Sequence, residues 1–370
     1  MSLISDVYGN RNDLNFVRTW RPFGIVSVVL VAIAIGSLIF QGLHLSIDFE
    51  GGSLWEVPSS SITIAKAEDV LAQFGETAAE QFQEATTSDG VRVLRVSGRV
   101  NTIEESQKVA DALAKAAGID STAVAVTTVG PSWGKDITRT ARNSLIIFMV
   151  LVASYIAWRL EPKMAIAALV AVIHDILLTV GFYSLFRIEV SPATVIAFLT
   201  ILGFSLYDTI VVYDRIQEND IRLTRTGQYT YTTVVRRSLN QVLMRSVNTT
   251  IVTLIPVLTM LVIGQYVFGE PTLGDFSLAL LIGLASGAYS SVCVAAPLTA
   301  VLKEREPKFI EIRERLVAKG VDVSDTSWKH SHDPVVATSG VAAASRSTTQ
   351  APALTTTLGG HPPRPRKKKR

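Results

Sequence analysis

A chain of 370 residues that is 48% hydrophobic and only 18% charged, with mean hydropathy +0.34, is too apolar for an ordinary soluble domain and too polar for an all-membrane one; a helical bundle with a soluble insert is expected. The net charge of +3 is set by Arg364, Arg366, Lys367, Lys368, Lys369 and Arg370; without them the balance is −3, which excludes a broad basic face for nucleic acid. Cys293 is the only cysteine, which excludes an intramolecular disulfide and a cysteine-based metal site.

Residues 1–22 are polar, carry Arg11, Arg18 and Arg21, and read as a cytoplasmic N-terminus. Phe23 to Leu43 (23–43) then gives about twenty uncharged residues, which predicts spanning helix 1 and exceeds a signal-peptide core. No small-x-small cleavage site follows closely, so it is read as an uncleaved anchor.

Residues 44–140 are mixed and polar. Ser53–Val57 alternates like a strand, and Ala65–Phe74 has helical spacing. Ala79–Ala85 and Val91–Val96 read as strands joined by a Ser88-Asp89-Gly90 hairpin turn. Thr102–Ala117 reads as a helix, with Glu105 one residue past the ideal capping-box slot and Gly118 as its stop. Thr122–Val129 is a last β-branched strand. The order β-α-β-β-α-β predicts a small α+β ferredoxin-like domain inserted after helix 1.

Five more apolar runs lie within 141–305: about Ser144–Trp158, which is short and expected to begin nearer Arg142, then Met164–Phe186, Pro192–Tyr213, Thr249–Phe268 and Leu273–Leu302. The fold class is therefore an α-helical polytopic membrane protein with six transmembrane helices. The last run is long for one span and is expected to tilt or to end outside the lipid. Arginines and lysines gather before helix 1, between helices 2 and 3, between helices 4 and 5, and after helix 6. The opposite loops hold only Arg187, so both termini are expected in the cytoplasm and 44–140 outside. Residues 306–370 form a cytoplasmic tail, Ser/Thr/Ala/Pro-rich and disordered after about 320. Its terminal basic cluster could hold anionic lipid at about 1 kcal/mol per charge; a solvated tail without a partner is the simpler reading.

Ionisable residues inside the spans are functional candidates, because each costs about 2.5–3.5 kcal/mol to insert at the centre of a helix. His174 and Asp175 fall near the middle of helix 3, Asp208 in the inner half of helix 4, and Arg245 at the inner end of helix 5. Asp208 lies about 24 Å along the helix from Pro192, inside hydrocarbon, with Asp214 and Arg215 near its edge. Burial disfavours a charged carboxylate and a nearby guanidinium favours it. If Arg245 reaches Asp208, the acid stays ionised; if the helices part, it takes a proton. Proton binding is thereby tied to helix geometry. For His174 and Asp175 a packing clamp and a proton relay stand equal. Gly283 and Gly287, four apart, with Ala279, Ser286 and Ser290 nearby, make a small-residue face in helix 6, either for an intramolecular contact or for a subunit interface. Asp48 precedes Gly51 and Gly52, whose pairing suggests a tight joint between membrane and outer domain. The chain has no His-Glu-x-x-His, Walker A or Gly-x-Ser-x-Gly pattern, so neither an enzyme nor a metal or cofactor site is expected.

Ile47-Asp-Phe-Glu-Gly-Gly52, Val129-Gly-Pro-Ser-Trp-Gly134, His174-Asp175, Gly203–Asn219 and Arg245-Ser-Val-Asn-Thr-Thr250 resemble, in order and spacing, the successive motifs of the SecD/SecF family of protein-export membrane subunits in the RND superfamily. The resemblance covers about residues 20–305. It implies a SecF-type six-helix subunit in a bacterial plasma membrane, paired with SecD and working with the SecYEG channel and the SecA ATPase. YidC and YajC-like subunits are further implied partners. Such a unit is implied to use the proton motive force in late steps of preprotein translocation. By motif match the family's essential acid falls on Asp208 and its arginine on Arg245. Tyr207 departs from the family's usual Asn before the acid, and the tail after about 321 lies outside the family core. Two other readings compete: an RND-type exporter of lipid or small molecules, and a non-titrating scaffold of the translocon.

Overall fold

The computed structural model describes residues 14–58, 62–74, 81–86, 91–100, 102–223, 227–267, 271–321 and 323, all within one unit, Met1–Ser327. A second unit, Trp328–Arg370, lies outside the described residues. So do Arg11, the Ser88-Asp89-Gly90 turn, most of the expected tail and its basic end.

Among the described residues, six helices are long and apolar enough to cross a membrane. They are α1 (Phe16–Gln41), α5 (Pro131–Arg159), α6 (Pro162–Leu185), α7 (Pro192–Leu223), α8 (Tyr231–Val262), and a composite sixth. The sixth runs as α9 (Pro271–Ser290), a π-helical turn (Ser291–Ala295) and α10 (Ala296–Glu304). Several are longer than their apolar runs. α1 starts at Phe16, capped by the Asn15 side chain, which accepts from the Arg18 amide at 3.2 Å. α5 starts at Pro131 rather than near Arg142, with Pro at the first-turn position where its missing N–H costs nothing. α8 starts at Tyr231 rather than Thr249, because its first turns are buried against protein by Tyr231, Val234, Val235 and Leu239. After α10 a further helix, α11 (Pro307–Ala318), packs Phe309, Ile312 and Leu316 into the same cluster.

The soluble insert comprises β2 (Gly52–Pro58), α3 (Ile64–Leu71), β3 (Gln81–Thr86), β4 (Arg92–Gly98), α4 (Ile103–Ala117) and β5 (Ala125–Val129). The four strands form one antiparallel sheet in the order β3-β4-β2-β5. Trp55, Val57, Leu94 and Val96 of the sheet share one buried cluster with Ala67 and Leu71 of α3 and with Val109 and Leu113 of α4. The Trp55 indole N–H donates to the Ser106 carbonyl at 2.8 Å, so the largest core side chain leaves no polar atom unmet. With Thr102 as the residue before α4, Glu105 falls in the third position, one nearer the cap than the sequence reading placed it; the Thr102 hydroxyl donates to its carboxylate at 2.8 Å. Gly118 closes the helix at φ 71°, the left-handed stop expected of it.

Insert and bundle are joined through α2 (Ile47–Glu50), a single turn between β1 (His44–Leu45) and β2. A Cβ on Gly52 would sit 2.4 Å from the Gly98 carbonyl oxygen, and its φ of 140° favours glycine, so the Gly51-Gly52 pair fixes this joint. β1 pairs in parallel with β6 (Glu189–Val190), which ties the end of α1 to the α6–α7 connection.

Glu189 in that connection has its carboxyl pushed up to about 7, first by burial and then by the carboxylates of Asp275 and Asp48, with Arg95 opposing. The folded chain therefore holds this proton more tightly than the unfolded one, and stability falls as pH rises from about 4.5 to about 7. Glu189→Gln is expected to remove that slope. Thermal unfolding in detergent should find the variant more stable by on the order of 1–3 kcal/mol above about pH 7.5 and equal to the parent near pH 4.

Candidate functional site

The bundle holds two apolar clusters. One, near the insert, contains Phe49, Tyr183, Ile201 and Leu284; the other contains Val172, Leu202, Leu206 and Tyr213. A polar layer built around two carboxylates lies where they meet.

Asp175 is the more enclosed of the two, with no solvent exposure. Its Oδ2 accepts from Ser205 of α7 at 2.6 Å and from Ser290 of α9 at 2.7 Å. Its Oδ1 accepts from Ser286 of α9 at 2.9 Å and lies 3.2 Å from His174 Nδ1. Ser286 and Ser290 are four apart, so they share one face of α9. That face can reach α6 because α9 lies close against α7. A Cβ on Gly283 would fall 2.2 Å from Ile201 Cδ1, and one on Gly287 3.1 Å from Ser205 Cβ. Of the two uses open to this glycine pair, the structure places it in the intramolecular contact.

Asp208 is half-buried. Ser246 of α8 donates to its Oδ1 at 3.0 Å, and Ser291 to its Oδ2 at 2.6 Å. A cavity of about 40 Å³ adjoins it, lined by Tyr207, Thr249, Thr250, Thr253 and Gly287 among others. That space exceeds the roughly 10–15 Å³ a water needs, and its wall carries several hydroxyls.

The two acids are bridged through adjacent residues. Ser290 serves Asp175, and Ser291 serves Asp208. Neighbours in an α-helix point about 100° apart, so one helix can face α6 and α7 at once. The junction is also where α9 passes into the π-helical turn, a feature that recurs at functional sites.

Of the residues expected here, Arg245 is not brought to Asp208. Its side chain is exposed, and among the described residues it makes no ion pair. The neighbouring residue Ser246 meets the acid instead. Tyr207, 55% exposed, turns outward beside the small cavity. Asp214 and Arg215 are adjacent but serve different partners. Asp214 pairs with Arg159 at the end of α5 at 2.7 Å, and Arg215 Nε donates to Gln241 of α8 at 2.7 Å. Asn219 adds bonds to Ser238 and Gln241 at 2.8 Å each, so this end of α7 is braced to α8. Asp48 accepts from Ser46, the residue before α2, at 3.3 Å. The residues missed from sequence are the hydroxyl donors Ser205, Ser246 and Ser291. Ser286 and Ser290 were noticed only as small residues.

His174 is 6% exposed, and its ring lies 6.2 Å from that of Tyr289. Its Nε2 has no hydrogen-bond partner among the described residues. The arrangement gathers two carboxylates, an imidazole and five serine hydroxyls.

The family described as "Protein export membrane protein SecD/SecF, C-terminal" matches residues 108–305. The protein translocase subunit SecF of Streptomyces coelicolor is 41% identical over 307 residues, covering 82% of this chain and 81% of that one. The SecF subunit of Mycobacterium tuberculosis strain H37Rv is 37% identical over 312 residues, covering 82% and 70%. Among solved structures, SecDF from Thermus thermophilus, described as a translocon-associated membrane protein, superposes with a TM-score of 0.68 at 30% identity. It covers 82% of this chain, which spans 40% of the SecDF chain. A super-membrane-facing form of SecDF gives a TM-score of 0.57 over 83% of this chain.

Proposed function

Because the chain belongs to the SecD/SecF family of protein-export membrane proteins, we propose that it is a SecF-type subunit that turns the proton gradient into mechanical work on translocating preproteins. One observation carries the reading: a half-buried carboxylate deep in a spanning helix, held only by hydroxyls from two neighbouring elements, beside a space large enough for water. Asp208 takes and gives the proton. Arg245, one residue from its Ser246 partner, is the counter-charge that approaches in another stage of the cycle. Moving one charge through the membrane potential releases about 2.3 kcal/mol per 100 mV, so a few protons can reposition a small domain. The antiparallel order β3-β4-β2-β5 with two helices supports reading the insert as ferredoxin-like. The loop charges support placing that insert outside a bacterial plasma membrane and both termini in the cytoplasm.

The partners in this reading are SecD, the SecYEG channel and SecA, with YidC and YajC-like subunits alongside. The likeness of this chain to 40% of a SecDF chain, and to SecF subunits, supports pairing with a SecD-type half. The test is affinity purification of the tagged chain from solubilised membranes. A SecD-like six-helix protein is expected at a matching yield. Recovery of the chain alone, with export unchanged on its depletion, removes this reading and leaves a small-molecule RND exporter to be tested by transport assays.

A further inference from the structure

We propose that the groove between α1, α6 and α10 is a binding site for one anionic phospholipid, with its headgroup at the Arg21–Arg313 end and its acyl chains lying along α1. The groove encloses about 1170 Å³, more than the roughly 300–1,000 Å³ of a small-molecule pocket. Its wall on α1 runs from Val17 to Ile35, about 27 Å along the helix and close to the hydrocarbon thickness of about 30 Å. Most of that wall is aliphatic, and the groove's charged groups, Arg21, Glu304 and Arg313, gather at one end.

That end is built for an anion. Arg21 and Arg313 both line it, both are exposed, and neither has an acidic partner among the described residues. The Trp20 indole ring lines the groove beside them. Glu304 is the one carboxylate at this end, and the Thr232 amide (3.2 Å) and hydroxyl already engage it. Deeper in, the His174 ring forms part of the same wall, and its Nδ1 lies 3.2 Å from Asp175. A surface of this size with two exposed cations at its mouth fits an anionic amphiphile better than a neutral one.

The sequence supplies its own probes. Cys293, the only cysteine, lines the groove, so its alkylation reports occupancy without an introduced residue. Gly24 also lines it, and a Cβ added there meets nothing within 4 Å, so the side chain of Gly24→Phe starts into open space and narrows the groove.

The full chain in mild detergent is titrated with phosphatidylglycerol or phosphatidylcholine, with bound lipid counted by native mass spectrometry and Cys293 alkylation timed by maleimide. One phosphatidylglycerol is expected to be retained, and to slow alkylation. A charge near the surface is worth about fivefold, so the Arg21→Gln, Arg313→Gln double variant should lower that affinity about 30-fold and leave phosphatidylcholine unchanged. Gly24→Phe should weaken retention of both. Equal retention of the two lipids by the parent, or retention untouched by Gly24→Phe, overturns the proposal and leaves ordinary annular lipid. Protection of Cys293 by a co-purified membrane protein but not by phosphatidylglycerol overturns it too, in favour of a partner helix.

Discussion

Asp208→Asn is expected to abolish gradient-dependent export while leaving the bundle folded and its partner bound. Asn cannot take up or lose a proton, so each cycle loses the step that draws on the membrane potential, about 2.3 kcal/mol per charge per 100 mV. The fold should survive because the acid's two partners are hydroxyls. Ser246 and Ser291 donate to it now, at 3.0 and 2.6 Å, and each can rotate to accept from an amide instead. The cost in stability is then about 1 kcal/mol, the scale of one net hydrogen bond. The measurement is preprotein translocation into inverted vesicles at matched abundance of the variant and parent, with and without an ionophore. Translocation in the variant should equal that of the parent after ionophore treatment, and the ionophore should have no further effect. Full gradient dependence in Asp208→Asn would make this acid a packing element and leave the scaffold reading in place.

The membrane architecture and its acids were legible in the sequence for one reason: both are violations of a strong rule. Long uncharged runs are rare in soluble chains, and carboxylates are rare within those runs, so Asp175 and Asp208 stood out by contrast. Helix lengths were less legible. Hydropathy reports how much of a helix faces lipid, and α5 continues thirteen residues upstream of Ser144 through Lys135, Asp136, Arg139 and Arg142. α8 likewise begins among Arg236 and Arg237, in protein rather than in lipid. The hydroxyl partners were the least legible. Serine is ordinary in any helix, and what distinguishes Ser205, Ser286, Ser290 and Ser291 is only the acid each one faces across a helix contact. The i,i+4 spacing of Ser286 and Ser290 was visible, but small size and hydrogen bonding give the same pattern until the opposing residue is known. Arg245 illustrates the converse. A guanidinium draws attention, and in this arrangement its quieter neighbour Ser246 makes the bond.

Asp175 is where the contrast between two substitutions is largest. Asp175→Ala is expected to destabilise the bundle by about 3–5 kcal/mol, the range for removing one member of a buried charged network. Three hydroxyls and an imidazole nitrogen converge on this carboxylate from α6, α7 and α9, with no solvent exposure to replace it. Part of the loss is recoverable, since helix serines can turn back to a carbonyl one turn earlier; Ser290 already lies 3.2 Å from the Gly287 oxygen. Asp175→Asn keeps the volume and one acceptor oxygen, and its amide can donate to rotated hydroxyls, so it should cost only about 1–2 kcal/mol. Thermal unfolding in detergent measures both. Export then separates clamp from relay, because Asn preserves the first role and eliminates the second. With each carboxylate oxygen already met twice and none left to water, Asp175 has the geometry of a clamp, and Asp175→Asn should keep gradient-dependent export where Asp208→Asn loses it. Loss of export in a well-folded Asp175→Asn would instead put this acid, through His174, on the route of the proton.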